Sequence, residues 1–261
     1  GNTMAVTNLN PKAKGIEADP YYRERVDLAA AFRWTARLNM HESVANHFSL
    51  AVSDDGSKFL MNPNCRHFAL MRASDLLLLD ANDDTTMDQP NAPDATAWCI
   101  HGAMHRKVPH ARCLMHVHPK YALALACLKD PSMPAIDQNT ARFYGRIAVD
   151  DGFDGMGLGD EAERLPGLLG NKPVLLMGNH GVMTTGTTVA KAFDELYYFE
   201  RACETLITAL SSGRELKVLS HEVAEKTANQ WQDYPGESDM SASFLDAIKE
   251  ILDREEPDYR T

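Results

Sequence analysis

No stretch of this 261-residue chain is apolar for the roughly 20 consecutive residues that a membrane-crossing helix needs, so no such helix is expected. The opening residues, GNTMAVTNLNPKAKG, lack the charged-then-apolar order of a secretory leader, and a cytoplasmic location is expected. There is no basic surplus. Lys and Arg number 26 against 37 Asp and Glu, the net charge is −11, and the two signs are interspersed. No face is left to neutralise phosphates, which argues against nucleic acid as a partner. Cysteine is sparse, five residues without CxxC spacing, so disulfides and thiolate metal clusters are not expected and each thiol reads as a small buried hydrophobe. No interior segment resembles a linker, and hydrophobic (44%) and charged (24%) fractions are those of an ordinary globular domain with one core.

What is present is a regular succession of strands and helices. Apolar residues recur at helical intervals from Tyr22 to Met40. NHFSLAVSDDGSKFLMNP reads as a hairpin turning on Asp-Asp-Gly-Ser, and LLLLD, Leu76 to Asp80, as a further strand. A loop rich in Asp, Thr and Pro leads into a helix at Ala97 to Lys107. ARCLMHVH reads as a buried strand, PKYALALACL as a helix entered through Pro119, and Ile147 to Val149 as a strand after a short helix holding Arg142, Phe143 and Tyr144. DDGFDGMGLGDE is an acidic, glycine-rich loop whose spacing does not fit an EF-hand. KPVLLM and GVMTTG are strands joined by GNH. The longest helix spans Thr188 to Leu210, closed by Gly213. Two tail helices, His221 to Gln232 and Ser241 to Asp253, are joined by YPGES. The domain organisation expected is a loose arm at 1–21, a main domain at 22–225 and a helical extension at 226–261.

The chemistry concentrates at histidines on strand ends. In a strand, side chains at i and i+2 share a face, so His116 and His118 of HVHP can place both imidazoles on one ion. That pair alone is equally readable as two ordinary hydrogen-bonded histidines. His180 strengthens the metal reading, since it closes another apolar strand between glycines that allow close backbone approach. Three neutral imidazoles suit Zn, Mn, Fe or Co and leave positions open for substrate.

The ordered motifs NHFS, FLMNP, IHGAMH, HVHP, ARFYGRIAV and PVLLMGNHG, followed by a helix carrying ELYYFERACE, resemble the class II aldolase/adducin family across about residues 22 to 225. The resemblance implies an α/β fold, a three-layer α/β/α arrangement with a central, mainly antiparallel sheet, often assembled as a homotetramer with sites at subunit boundaries. It also implies that His116, His118 and His180 hold one divalent metal ion, zinc in the sugar-phosphate aldolases. Ser43 and Asn46 fall near the family's anion-binding region, and Tyr144 falls where a tyrosine reaches a neighbouring subunit's site. Tyr144 and its neighbour Phe143 are equally readable as packing residues. The chain departs from the aldolases at Ala97, where they carry a glutamate, and at Ala95 and Thr96, where they carry paired serines. His101 and His105, one helical turn apart, are the candidates to move a proton in the glutamate's place, His101 alternatively serving as a fourth ligand or each in a plain structural role.

The resulting expectation is a metal-dependent lyase, of aldolase or decarboxylase type, acting on a small oxygenated carboxylate or carbonyl compound through an enediolate-like intermediate. A non-haem iron oxygenase of the same fold and a non-catalytic adducin-like interaction module are the alternatives.

Overall fold

Alternation along the strands divides the apolar residues between two layers, and that division sets the architecture. The computed structural model describes residues 15–156, 159–233 and 239–261. One sheet holds β1 (His47–Ala51), β2 (Lys58–Met61), β3 (Leu77–Asp80), β4 (Cys113–Val117), β5 (Ile147–Asp150), β6 (Val174–Met177) and β7 (Gly181–Gly186). Their order is β3-β2-β1-β4-β7-β6-β5, antiparallel at every junction except β5 with β6.

Phe48, Leu50, Leu60, Cys113, Met115, Val117, Val174, Leu176 and Val182 face one core. That core is covered by α1 (Tyr22–Arg37), α3 (Lys120–Ala126), α6 (Val189–Ser211) and α8 (Met240–Glu255). The intervening Leu114, Leu175, Met177 and Met183 face the opposite layer, where α2 (Ala95–Lys107) and α5 (Glu161–Leu169) pack. Two short helices, α4 (Gln138–Arg142) and α7 (His221–Asp233), pair at one edge. The three-layer α/β/α arrangement with a mainly antiparallel sheet is therefore the one expected.

Several local readings are corrected. Helix α1 stops at Arg37, and Asn39 follows with φ of 56°, a left-handed conformation that ends a helix. Helix α2 begins at Ala95 because Asp94 caps it, accepting a hydrogen bond from the Ala97 amide at 2.8 Å. Helix α5, absent from the sequence reading, has only nine residues and contains Pro166. Cys65, Cys99 and Cys127 are exposed, while Cys113 and Cys203 are buried as thiols. Asp150, read as the first residue of the acidic loop, instead ends β5, where it is buried and paired with Arg164. Residues 1–14 of the expected arm, residues 157–158 of the acidic loop and the YPGES connection at 234–238 lie outside the described residues. The C-terminal segment packs into the main core through Leu245, Ile248, Leu252 and Tyr259. Arg33 ties it to α1, donating to the Met71 carbonyl at 2.8 Å and to Glu256 at 2.9 Å.

Phe32 anchors this core. It is fully buried, stacked on Phe48 at 4.6 Å and edge-on to Phe68 at 4.6 Å. Phe32→Ala is expected to cost about 3–5 kcal/mol of unfolding free energy, read as a lower urea midpoint at unchanged slope. A loss below about 1 kcal/mol would show that this aromatic cluster does not anchor the fold.

Candidate metal centre

Strand β4 brings two histidines to one place because its end coincides with a change in chain direction. His116 lies in register with His47 of β1 and Met183 of β7, so its ring leaves the sheet centre on the α2 face. His118 follows two residues later, beyond the last residue of β4 and just before Pro119 opens α3. His180 arrives from the β6–β7 turn. A Cβ on Gly181 would stand 2.6 Å from Cδ2 of His118 and 2.7 Å from the Val117 carbonyl oxygen, so no larger residue fits beside His180. On its other side, a Cβ on Gly178 would lie 2.9 Å from the Asp150 carbonyl oxygen.

The three rings form a nearly equilateral triangle. Their centroids are 4.9 Å apart for His116–His118, 4.8 Å for His116–His180 and 4.9 Å for His118–His180. One ring nitrogen from each lies within 4.8 Å of the others.

Proton accounting defines what these nitrogens offer. A neutral imidazole carries one proton, and carbonyl and carboxylate oxygens have none to give. His116 Nδ1 donates to the Val182 carbonyl at 3.0 Å, and His118 Nδ1 donates to the Glu42 carboxylate. Both Nε2 atoms are then bare, and they stand 3.1 Å apart. Nitrogens at that separation are held together by a shared proton or by a metal ion between them. Burial, reinforced by the neighbouring His47, His118 and His180, holds His116 well below the usual imidazole range and favours its neutral form. Burial and then His118 lower His180 as well. This donor set fits a divalent ion of borderline softness, with the Glu42 contact orienting His118 from behind.

A second row of polar groups lies under the first. His47 and Ser49, at i and i+2 on β1, face α2, and there His101 and His105 meet them. His47 Nδ1 is 2.6 Å from His101 Nε2, His101 Nδ1 bonds Ser49 Oγ, and Ser49 Oγ is 2.7 Å from His105 Nε2. His105 Nδ1 ends the row on the Ala111 carbonyl at 2.8 Å.

The cavity in front of the triangle is lined by His47, Asn46, Asn62, Cys65, Asp94, Ala97, Phe153 and the three histidines, among others. Three of its non-glycine residues have positive φ: Asn46 at 74°, Cys65 at 60° and Asn179 at 61°, conformations that cost energy and gather at functional sites. Asn46 accepts the Glu42 amide on Oδ1, at 3.0 Å, and its Nδ2 has no partner among the described residues. Ser43 is exposed and does not line the cavity. His101 is fully buried with both nitrogens engaged, so it does not open onto the cavity. Tyr144 lies elsewhere, its hydroxyl 2.7 Å from His221 Nδ1. Sequence reasoning missed Glu42, His47 and Ser49. The strand period of NHFS could have revealed the last two, whereas nothing marked Glu42.

The fold and the site together define a family. The model for the Class II Aldolase and Adducin N-terminal domain matches residues 26–207, and the chain belongs to that family. A Caulobacter vibrioides protein assigned by name to aldolase class 2 is 29% identical over 256 residues, 98% of each chain. The decarboxylase NovR of Streptomyces niveus is 26% identical over 218 residues, 81% of this chain and 80% of its own. An aldolase II superfamily protein of Pseudomonas syringae has a crystal structure that superposes with a TM-score of 0.84 at 31% identity, covering 97% of this chain and 100% of that one.

The buried histidines make stability depend on pH. Burial is the largest cause in both cases, taking His105 from 6.5 to about 4 and His101 well below 6.5. As the pH falls below 6.5, the unfolded chain takes up protons that the fold refuses, so stability is full above that value and is lost toward about 4. Each group contributes a slope of up to about 1.4 kcal/mol per pH unit. Urea titrations of metal-free protein across this interval are expected to show that decline, and constant stability would contradict it.

Proposed function

We propose that this chain is a metal-dependent lyase, of aldolase or decarboxylase type, holding one divalent ion on His116, His118 and His180. Its substrate is a small oxygenated carboxylate or carbonyl compound. The reading rests on three imidazoles from two chain segments whose ring nitrogens gather within 4.8 Å, with His116 Nδ1 and His118 Nδ1 engaged by oxygens on the far side of each ring. The names of the aldolase class 2 relative and of the decarboxylase support the reaction class. The ion, when bound, supplies a Lewis acid that polarises a substrate oxygen.

The chain's own residues do the remaining work. Glu42 holds the His118 ring with its bare nitrogen toward the site. Asn46 offers its free Nδ2–H to a substrate oxygen, with Oδ1 pinned by the Glu42 amide. Ala97, 4% exposed, leaves open the volume that the aldolases fill with a glutamate. Tyr144 reaches such a cavity only from a second copy of the chain, as in the tetramer that the family resemblance implies.

Elemental analysis of purified protein tests the reading. Wild type is expected to carry about one divalent ion per chain, and His116→Ala and His180→Ala to lose it. Glu42→Gln is expected to weaken metal affinity by about 10–100-fold in chelator competition. Full metal content in both histidine variants would remove the site. Bound iron accompanied by oxygen consumption would move the assignment to an oxygenase.

A further inference from the structure

The row behind the triangle has a direction. It ends on the Ala111 carbonyl, which can only accept, so the His105 proton sits on Nδ1 and His105 Nε2 is bare. The single Ser49 proton therefore points to His105 Nε2, at 2.7 Å, leaving Oγ as an acceptor. The acceptor is filled from His101, placing the His101 proton on Nδ1 and baring its Nε2. His47 Nδ1, 2.6 Å away, supplies the hydrogen that this nitrogen receives. Every bond in the row is satisfied in this one arrangement, and the last nitrogen, His47 Nε2, is left with a lone pair. It has no hydrogen-bond partner among the described residues, while the His47 ring lines the cavity, 5.0 Å from the His116 ring between centroids. His47 is not one of the three histidines whose nitrogens gather within 4.8 Å. Burial keeps His101 and His105 neutral, with His105 taken down to about 4.

We propose that His47 is a fixed hydrogen-bond acceptor of this site: Ala111, His105, Ser49 and His101 lock its proton onto Nδ1 and present its bare Nε2 to the cavity. There it receives the hydrogen of a substrate hydroxyl or water seated before the three imidazoles. The role toward substrate rests on the function proposed above; the acceptor itself follows from the row alone. His101, Ser49 and His105 act as positioning residues, and the contact that a direct role for His101 would require falls to His47.

Proton–nitrogen correlation spectra of uniformly nitrogen-15-labelled, metal-free protein near neutral pH report which ring nitrogen of each histidine is protonated. His47, His101 and His105 are all expected to carry the proton on Nδ1. A proton on His47 Nε2, or a mixture of tautomers there, would overturn the proposal without any variant being needed. Ser49→Ala cuts the row and is expected to release His47 into a tautomer mixture, whereas an unchanged His47 signal would show that the row does not set it. His47→Phe is expected to keep zinc affinity within about tenfold of wild type, the lower bound of outer-shell effects. A loss as large as that of His180→Ala would make His47 a ligand and overturn the acceptor role. Failure of wild type to take up zinc would sink the metal reading alone, because the tautomers are read without metal.

Discussion

Three oxygens that cannot donate decide the chemistry of this site. The carbonyls of Val182 and Ala111 and the carboxylate of Glu42 each receive the Nδ1 proton of a histidine. An imidazole anchored in this way has no freedom left: its proton is behind it and its lone pair is in front. At His116 and His118 the constraint acts directly, and at His47 it is passed along through His105, Ser49 and His101. Such a row must be complete to be stable. A buried donor or acceptor left unpaired costs about 1–3 kcal/mol, so one missing partner would favour another packing of the whole group.

The sheet makes the anchoring possible. Antiparallel pairing of β1 with β4 sets His47 opposite His116, and strand alternation then places Ser49 and Leu114 on the same side. That side is covered by α2 and α5 around a smaller apolar cluster that includes Leu114, while Phe48, Leu50, Met115 and Val117 of the same strands are turned to the other core. The division separates stability from function: aromatic packing around Phe32 and Phe48 holds the strands, and the opposite face is free to carry polar groups. Gly181 completes the geometry by letting the β6–β7 turn pass within contact distance of the His118 ring.

How much of this was readable in advance follows from the range of each interaction. HVHP and GNHG announce themselves because strand period and flanking glycines are local signals, and the long helices do so through their apolar stripes. Helix α5 was not legible, since it has only nine residues, contains Pro166 and has no side-chain cap to mark its start. The His47–Ser49 pair stood in NHFS with the same i, i+2 spacing as HVH. What gives the pair meaning is α2, whose His101 is 54 residues from His47 in sequence. Glu42 was beyond reach altogether, because an exposed loop carboxylate acquires its role only by contact with His118, 76 residues further on. His101 was singled out as a proton mover or fourth ligand, but helical spacing cannot say that its ring is buried with both nitrogens engaged by His47 and Ser49.

The alanine at position 97 changes the electrostatics of the site without dismantling it. In the aldolases that the sequence resembles, a glutamate there brings one negative charge to the ion. On the metal-dependent reading the three ligands here are neutral imidazoles, and the Glu42 carboxylate acts from behind His118, one ring further from the centre. Asp94 also borders the cavity, with its Oδ1 engaged by the Ala97 amide. On the metal-dependent reading, an ion held by neutral imidazoles keeps more of its charge and polarises a substrate oxygen more strongly than one with a carboxylate ligand. On that reading an anionic substrate oxygen would add to the negative charge that Glu42 and Asp94 bring nearby. An acid or an ionised hydroxyl supplies such an oxygen better than a neutral sugar, and His47, holding a lone pair and no charge, accepts a hydrogen bond without competing for the ion's field. On the same reading, the absence of the aldolase glutamate favours anionic oxygen ligands, the class to which the proposed small oxygenated carboxylates belong.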